Sequence, residues 1–366
     1  MHQEAHILGI SAVAPALSQP QGRVAAKVLR ALPADDRQAP VVQRIYQGSR
    51  IDKRHSVIAD YANETLSGSF FGDSFPETAP GMSRRNEAYK AEAPALAHRA
   101  AEQALDDWEG TREDITHVVS VSCTGLMAPG IEFHLVDSLG LSRETQRFGI
   151  NFMGCFGAFK GLAVAKALAL EHPEHRVLVV CTELCSLHFH LDGRLDTHVA
   201  NAIFADGAAA VVVGCSPHES ESAHWSVVRQ GALALEATHD LMTWEAADQG
   251  LVMRLSAEVP KLIDRHVGQF AHSLLEDGQD FHDCDWALHP GGKAILDAVT
   301  KTCGLVADQV ASSWDVLREY GNMSSATFLF VLEHQRRRKR THRHTIGLGF
   351  GPGLSMEGVL LRNIGA

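Results

Sequence analysis

Several signatures of common protein classes are absent from this 366-residue sequence. Its seven cysteines contain no C-x-x-C pair, so neither a zinc-finger motif nor a dithiol redox motif is indicated. The formal net charge is -11, which gives the surface no general attraction for nucleic acid or anionic lipid. No apolar stretch reaches about 18 residues, the length that a membrane-spanning helix needs. We therefore expect neither a nucleic-acid partner nor a membrane span.

We also expect the apolar run near the start of the sequence not to be a secretion signal. The apolar run at residues 7–14 follows Glu4 and is preceded by no Lys or Arg, whereas a signal peptide begins with a basic segment. We interpret this run as a first buried strand. The cysteines are odd in number and most lie in apolar, strand-like runs. This pattern indicates reduced thiols and a cytoplasmic protein.

Apolar stretches of strand length alternate with stretches of helical spacing along the chain. Residues 176–182 have a continuous apolar centre, and residues 85–108 are rich in Ala and Glu at helical spacing. This alternation predicts an α/β layered fold. The length suits two domains, and the composition shifts to Ser, Glu and His near residue 220. We place the boundary there, which gives two similar halves, 1–220 and 221–366.

One cysteine lies in an unusual context. Cys155 is surrounded by glycines in the stretch 149–161, between a strand-like run and a helix-forming run. The unpaired N–H groups and the positive dipole end of such a helix favour thiolate over thiol. Phe152 and Met153 precede the thiol and are expected to form an apolar seat for it. The pattern indicates a nucleophile, and a buried structural cysteine is the alternative.

Two further residues repeat the context of Cys155. His289 ends a strand-like run and is followed by Pro-Gly-Gly, and Asn322 lies in Gly-Asn-Met-Ser-Ser-Ala before a helix. Taken alone, His289 could be a turn residue and Asn322 a helix N-cap. A cysteine, a histidine and an asparagine that all occupy strand-to-helix turns are much less expected by chance. We therefore predict that they form one catalytic centre.

These motifs resemble those of a known family, the type III polyketide synthases, also called the chalcone and stilbene synthase family, within the thiolase-like superfamily. The matching segments occur in family order over most of the chain: Gly154–Phe156, Phe204–Ala210, His289–Gly292, Tyr320–Ala326 and Gly349–Gly353.

The resemblance implies a homodimer with a five-layer αβαβα fold. It implies an acyl-CoA-primed, iterative decarboxylative Claisen condensation with malonyl-CoA, followed by cyclisation, without a metal or redox cofactor. Cys155 would be the nucleophile that carries the acyl chain, and His289 would hold it as a thiolate in an ion pair. His289 and Asn322 would donate hydrogen bonds to the thioester oxygen and to the enolate of the extender.

The resemblance also implies a substrate cavity. Phe204 matches the gatekeeper aromatic residue of the family. Trp244 replaces a small Gly and should narrow the cavity, and Cys123 replaces the Thr of plant members, as in several bacterial ones. We therefore expect a bacterial-type enzyme that makes an alkylpyrone, alkylresorcinol or polyhydroxynaphthalene rather than a chalcone. The predicted cavity residues are Cys123, Thr124, Cys185, His188, Phe204, Trp244, Met253, Ser324 and Phe350.

The expected coenzyme A contacts depart from the family pattern. Plant members use three basic residues in the region 41–48, and here Arg44 alone matches. Arg50, Lys53 and Arg54 follow closely and could substitute, although a solvated basic surface is an equally good interpretation.

Three different interpretations stay open at this point. A ketoacyl-carrier-protein synthase III shares the Cys, His and Asn but usually continues with Gln-Ala-Asn after its histidine. The basic run 336–343 could bind nucleic acid, but it lacks interleaved aromatics and fits a helix terminus better. A metal site is disfavoured because ligands at the end of a strand do not converge on one ion; its candidate ligands are Cys181, Cys185, His188, His190, Asp192 and His198.

Overall fold

The computed structural model describes residues 4–33, 37–215, 221–338 and 341–364. The strands of this part are Ala5–Val13 (β1), Ser18–Pro20 (β2), Lys53–His55 (β3), His117–Ser122 (β4), Gln146–Asn151 (β5), Arg176–Leu184 (β6), Asp206–Cys215 (β7), Trp225–Ala234 (β8), Met242–Ala247 (β9), Gly250–Leu255 (β10), Cys284–Leu288 (β11), His344–Gly351 (β12) and Ser355–Asn363 (β13). Its α-helices are Gln21–Ala31 (α1), Ala39–Gly48 (α2), Met82–Asp107 (α3), Ile131–Ser138 (α4), Gly157–Glu171 (α5), Leu195–Ile203 (α6), Val259–Leu274 (α7), Lys293–Thr302 (α8), Ala311–Tyr320 (α9) and Thr327–Arg337 (α10).

Nine strands form one mixed sheet in the order β11-β12-β13-β8-β1-β7-β6-β4-β5. In the first half, β1, β7 and β6 are antiparallel neighbours, and β6 runs parallel to β4. In the second half, β8, β13 and β12 are antiparallel neighbours, and β12 runs parallel to β11. The two halves thus repeat one topology. They meet where β1 and β8 pair through His6–Ser226 and Ile7–Trp225.

Three apolar clusters separate the layers. The first lies between α3 and the outer face of β1, β7 and β6, where small buried alanines such as Ala97 and Ala104 let the helix approach the sheet. The second lies around the central helices α5 and α10, where the rings of Phe159 and Phe328 stack with centroids 4.1 Å apart. The third lies under α7 and α8. This arrangement confirms the predicted α/β fold of five layers.

Three regular elements have no counterpart in the sequence analysis. Helix α6 was missed because its buried face carries Thr197, His198 and Asn201, so the apolar periodicity that signals a helix is weak. Helix α9 and the hairpin of β9 and β10 were missed as well. The domain boundary near residue 220 falls at residues 216–220, which lie outside the described residues, and it stays a prediction.

The strand that leads to Cys155 differs from its prediction. Strand β5 was expected to be buried, but it is the edge strand of the sheet and is largely exposed. Phe152 and Met153 are 38% and 37% exposed, so the apolar seat predicted from them is wrong. The exposed apolar side chains of β5 and of the residues that follow it must therefore have a role other than burying Cys155.

Among the described residues, no helix combines the length and the apolar character that crossing a membrane requires.

Candidate active site

The turn that carries Cys155 is held by a close backbone approach. Strand β5 ends at Asn151, and a 3₁₀ turn over Gly154–Phe156 leads into α5. Gly154 has φ 70°, and a Cβ atom at this position would lie 2.5 Å from Cδ of Pro352. Only glycine fits both constraints. The loop that contains Pro352 therefore packs directly against the nucleophile turn.

Asn322 reaches the same place from the second half of the protein. Its backbone forms a parallel bridge with Phe204. The Asn322 N–H donates to the carbonyl of Ile203, and its own carbonyl accepts from the N–H of Ala205, both at 2.8 Å. The bridge fixes the position of Asn322 relative to the turn of Phe204.

The Asn322 side-chain amide has a defined orientation. Oδ1 accepts a hydrogen bond from the Ser324 N–H at 2.8 Å and lies 4.0 Å from Sγ of Cys155. Nδ2 lies 3.8 Å from Sγ of Cys155 and 3.4 Å from the carbonyl of Gly291. Ser324 itself adopts the left-handed φ of 46°, an uncommon conformation for a serine. One amide therefore contacts both the thiol and the turn that follows His289.

His289 is fully buried at the end of β11. Its N–H donates to the carbonyl of Leu348 at 2.8 Å, but neither ring nitrogen has a hydrogen-bond partner among the described residues. Burial lowers the pKa of the imidazole to about 3, because water no longer stabilises the charged form. Unpaired buried polar atoms are costly. A site that a ligand completes explains this cost.

The environment of Cys155 opposes the thiolate that the sequence suggested. Burial raises the pKa of the thiol to about 11, and the carboxyl of Glu183 adds to the shift, while hydrogen bonds from Ser324 and Asn322 partly offset it. The contribution of the helix end to a thiolate stays a prediction. The raised pKa means that forming the thiolate requires a proton acceptor.

A buried carboxyl group that the sequence analysis missed organises the inner wall. Glu183, at the end of β6, accepts hydrogen bonds from the Cys123 N–H at 3.0 Å and from the Thr124 hydroxyl at 2.8 Å. The Ser325 hydroxyl also donates to it. Burial raises the pKa of Glu183. The signal in the sequence was a lone acidic residue inside a strand that is otherwise apolar.

The predicted cavity residues gather around three connected spaces. A cavity of about 400 Å³ reaches Cys155 and Asn322 and is also lined by Phe350. Two inner spaces of about 20 and 30 Å³ lie beyond it. Phe204 and Met253 line all three spaces, a position that suits a gate. The other predicted residues line the inner spaces: Cys123, Thr124, Cys185, His188, Trp244 and Ser324.

Trp244 points inward and narrows the cavity, as predicted. Its indole N–H donates to the carbonyl of Cys123 at 2.7 Å. Its ring meets His188 edge-on at 5.8 Å between centroids and lies 6.1 Å from the ring of Phe204. The side chain lines both inner spaces, as do Cys185, Phe204 and Met253.

His188 supports this wall rather than offering its nitrogens to a substrate. Nε2 donates to the carbonyl of Thr124 at 2.7 Å, and Nδ1 accepts from the Leu251 N–H at 3.1 Å. Burial lowers the pKa of the ring to about 3. His188 is thus a neutral, fully bonded side chain that fixes the hairpin of β9 and β10 against the inner wall.

Comparison with known proteins assigns the chain to a family. The model of the N-terminal domain of chalcone and stilbene synthases matches residues 1–217, and that of their C-terminal domain matches residues 229–365. The chain belongs to the type III polyketide synthases. It is accordingly a malonyl-CoA-condensing transferase. The match sets aside assignment to the ketoacyl-carrier-protein synthases III.

Named relatives of this type III polyketide synthase come from a slime mould and a plant. The chain is 38% identical over 330 residues to "Probable polyketide synthase 1" of Dictyostelium discoideum; these residues are 88% of the chain but 10% of that relative. It is 32% identical to "Type III polyketide synthase A" and "Type III polyketide synthase C" of Arabidopsis thaliana, over 79% and 88% of the chain and 76% and 86% of the relatives. The bacterial character inferred from Cys123 stays a prediction.

Solved structures match over nearly the whole chain. The C-terminal type III polyketide synthase domain of "Steely1", a type I/III hybrid from Dictyostelium, superposes with a TM-score of 0.92 at 34% identity, covering 99% of both chains. PKS-I from the brown alga Ectocarpus siliculosus superposes with a TM-score of 0.91 at 30% identity, covering 100% of this chain and 99% of the other. The fold is that of this enzyme family.

One of the basic residues predicted to bind coenzyme A has a structural task in this synthase. Arg54 donates through Nη1 to the carbonyls of Asn201 and Phe204 at 2.7 and 2.6 Å, and through Nε to Oε1 of Gln21 at 2.8 Å. These bonds favour a structural role for Arg54 over a contact with coenzyme A. Its guanidinium fixes the turn that carries the gate residue Phe204.

The other three predicted cations differ in their contacts. Lys53 forms an ion pair with Glu319 at 3.1 Å, and the guanidinium of Arg50 lies over the ring of Trp314, 5.4 Å from its centroid. Arg44 is exposed on α2. None of the four predicted cations lines the cavity that reaches Cys155.

Neither a metal site nor a nucleic-acid surface gains support from the described residues. Within this part of the chain, no group of three or more His, Cys, Asp or Glu side chains could hold a metal ion. In the basic run, Arg336 and Arg337 pair with Glu333 at 2.6 and 2.7 Å. Residues 339 and 340 of that run lie outside the described residues.

A first prediction concerns the proton acceptor of Cys155. If His289 takes the proton, the His289→Gln variant leaves the thiol with its burial-raised pKa of about 11. Alkylation by iodoacetamide at neutral pH should then slow by about tenfold or more, because each pKa unit changes the thiolate fraction tenfold. The rate in the variant should keep rising into strongly alkaline pH. Mass spectrometry of the Cys155 peptide measures the rate.

The matched control is His239→Gln, since His239 is 83% exposed on the surface. This variant should follow the wild-type pH profile. A His289→Gln protein with the wild-type profile would show that another group accepts the proton.

Proposed function

We propose that Cys155 carries the acyl chain and that His289 and Asn322 supply the proton acceptor and the hydrogen-bond donors of the condensation. The supporting observation is the Asn322 amide, whose oxygen is bonded to the Ser324 N–H while its NH₂ group lies 3.8 Å from Sγ. An amide held this way presents a donor to the place where negative charge develops.

Loading of the enzyme begins with Cys155 as a neutral thiol and His289 as a neutral imidazole. Sγ of Cys155 loses its proton to a ring nitrogen of His289 and attacks the carbonyl of an acyl-CoA thioester. The tetrahedral intermediate collapses, the C–S bond to coenzyme A breaks, and the leaving thiolate recovers the proton. Creating both charges together offsets part of their separate desolvation costs, because opposite charges at short range attract strongly in a site without water.

During extension, the hydrogen-bond donors Asn322 and His289 stabilise the enolate that forms from malonyl-CoA. Malonyl-CoA loses carbon dioxide, and the electron pair of the broken C–C bond forms an enolate on the thioester oxygen. Hydrogen bonds from Asn322 and His289 stabilise this enolate. Its carbon attacks the thioester of Cys155, which releases the thiolate and lengthens the chain by two carbons. These steps require neither a metal nor a redox cofactor, which supports the expectation that the enzyme uses none.

A second prediction separates the two roles. Cys155→Ala should abolish the covalent acyl-enzyme, because no other thiol would take the chain. Asn322→Ala should suppress decarboxylation of malonyl-CoA by about a hundredfold, the cost of removing one donor from an oxyanion site, while it slows loading less. Intact-protein mass spectrometry measures loading, and release of labelled carbon dioxide measures decarboxylation.

Two results would contradict these assignments. An acyl-enzyme on the Cys155→Ala protein would exclude Cys155 as the nucleophile. Equal losses of loading and decarboxylation in Asn322→Ala would reject the division of roles.

The product that the interior favours is small. The inner spaces of about 20 and 30 Å³ each hold about one or two water-sized groups, and the bulky side chain of Trp244 lines both. We infer a short starter acyl group, few extensions and release as a short alkylpyrone, which needs less room than an alkylresorcinol or a polyhydroxynaphthalene.

A third prediction tests this limit. Trp244→Ala removes a bulky side chain that lines both inner spaces, so the variant should make longer products than the wild type from the same starter thioester and malonyl-CoA. Trp314→Ala is the matched control, because Trp314 contacts Arg50 and lines none of the three spaces. Products are identified by liquid chromatography and mass spectrometry. An unchanged product length in Trp244→Ala would show that this side chain does not set the limit.

We propose that the enzyme is a homodimer joined along β5. This strand is an exposed edge of the sheet, and edges offer unpaired backbone groups to another strand. Phe148 is 40% exposed, beside the exposed Phe152 and Met153, and contiguous apolar surface often marks an interface.

We also propose a cytoplasmic location for the enzyme. All seven cysteines are free thiols, which supports this location.

A fourth prediction addresses the dimer. Phe148→Lys places a charge in the proposed interface and should yield a monomer in size-exclusion chromatography with light scattering. Val306→Lys is the control, because Val306 is 57% exposed elsewhere on the surface. A Phe148→Lys protein that stays dimeric would exclude β5 as the interface, and a monomeric wild type would exclude the homodimer.

A further inference from the structure

Among the residues that the structure describes, one cationic side chain lies in the wall of the cavity that leads to Cys155. The cavity is lined by apolar residues from α2, α6 and the loop before α7, together with the start of α8. Asp196 and Lys293 are the charged residues among those that line it. The carboxylate of Asp196 is already paired with the guanidinium of Arg194. Lys293 therefore provides the positive charge of this cavity.

Lys293 is the first residue of α8, directly after Gly292. No side chain caps this end of the helix, and its positive dipole end adds to the charge of the ammonium group. Gly291, two residues earlier, accepts a hydrogen bond from the Asn322 amide. The turn from Gly291 to Lys293 therefore connects the part of the cavity next to Asn322 to the ammonium-bearing side chain of Lys293.

The present partner of Lys293 is weakly held. Its ammonium group pairs with Asp297, one helical turn away, and the two side chains are 41% and 48% exposed. Exposed pairs at this spacing contribute little to stability. A phosphate group carries more charge and accepts strong charge-assisted hydrogen bonds, so it can displace the carboxylate.

The geometry points to Lys293 as the cation that binds the phosphate groups of the coenzyme A thioester. This inference rests on the proposed function, because it assumes that the thioester enters by this cavity. The four cations suggested by the sequence lie outside the cavity wall, and three of them are engaged with carbonyls, Glu319 or Trp314. The phosphate groups lie at the far end of the pantetheine arm, away from the reacting thioester, so a cation that binds them should affect binding rather than chemistry.

A fifth prediction compares two thioesters of the same acyl group. Malonyl-CoA carries the phosphates, and the malonyl thioester of N-acetylcysteamine lacks them. In Lys293→Ala, the KM for malonyl-CoA decarboxylation should rise about tenfold, the loss of one charge-assisted contact, with kcat within about twofold. The KM for the short thioester should stay within about twofold. Lys293→Arg should restore most of the affinity for malonyl-CoA.

The matched control is Lys301→Ala on the same helix. Lys301 is 80% exposed, lies 3.8 Å from a carboxylate oxygen of Asp264 and does not line the cavity. Its variant should behave as the wild type with both thioesters. A Lys293→Ala protein that loses affinity for both thioesters equally, or for neither, overturns the inference. So does an Arg44→Ala protein that shows the phosphate-specific loss in its place.

Direct binding keeps this test separate from the proposed function. Calorimetric titration with coenzyme A and with pantetheine needs no turnover. A wild-type enzyme that decarboxylates neither thioester would refute the proposed function alone. Weaker binding of coenzyme A to Lys293→Ala, with unchanged binding of pantetheine, would still support Lys293. Unchanged binding of coenzyme A would overturn its role.

Discussion

The hydrogen bond from the Ser324 N–H to Oδ1 of Asn322 is the constraint on which the site depends. Without it, the amide could turn and present its oxygen to Cys155, where an acceptor would repel an enolate. The bond exists because Ser324 adopts a left-handed conformation, φ 46°, which costs roughly 1–2 kcal/mol for a non-glycine residue. The bridge between Asn322 and Phe204 holds the segment in register. The fold thus stabilises a local backbone strain that sets the direction of a single donor.

The burial of Cys155 and His289 away from water is the second determinant of the chemistry. The same burial raises the pKa of Cys155 and lowers that of His289, so the resting pair is neutral. In the proposed mechanism, forming both charges together offsets part of the desolvation cost that each would carry alone. Glu183 supports the inner wall by accepting hydrogen bonds and makes a nearby thiolate more costly.

Sequence reasoning found the features that depend on local pattern. Cys155 and His289 each lie at a strand-to-helix turn, and glycines beside them marked the turns. The same prediction is wrong for Asn322, which lies between α9 and α10 on an isolated bridge with Phe204. Sequence reasoning failed where tertiary context decides. Arg54 is basic in sequence, yet its guanidinium binds backbone carbonyls that only the fold brings near. The exposure of Phe152 depends on β5 being an edge strand. The phosphate-binding role proposed for Lys293 depends on its place in the cavity wall, which the sequence does not reveal. Glu183 was hidden in an apolar strand.

The narrow joint between the two halves has a consequence for how the protein forms. Strands β1 and β8 meet through two residue pairs, while Cys155 and Asn322 are 167 residues apart in sequence. The spaces around the thiol are lined by both halves, with Cys185 and Phe204 from the first and Met242 and Pro352 from the second. Burial of Cys155 therefore requires both halves, closed on each other around their stacked central helices, so the accessibility of this thiol reports on that closure.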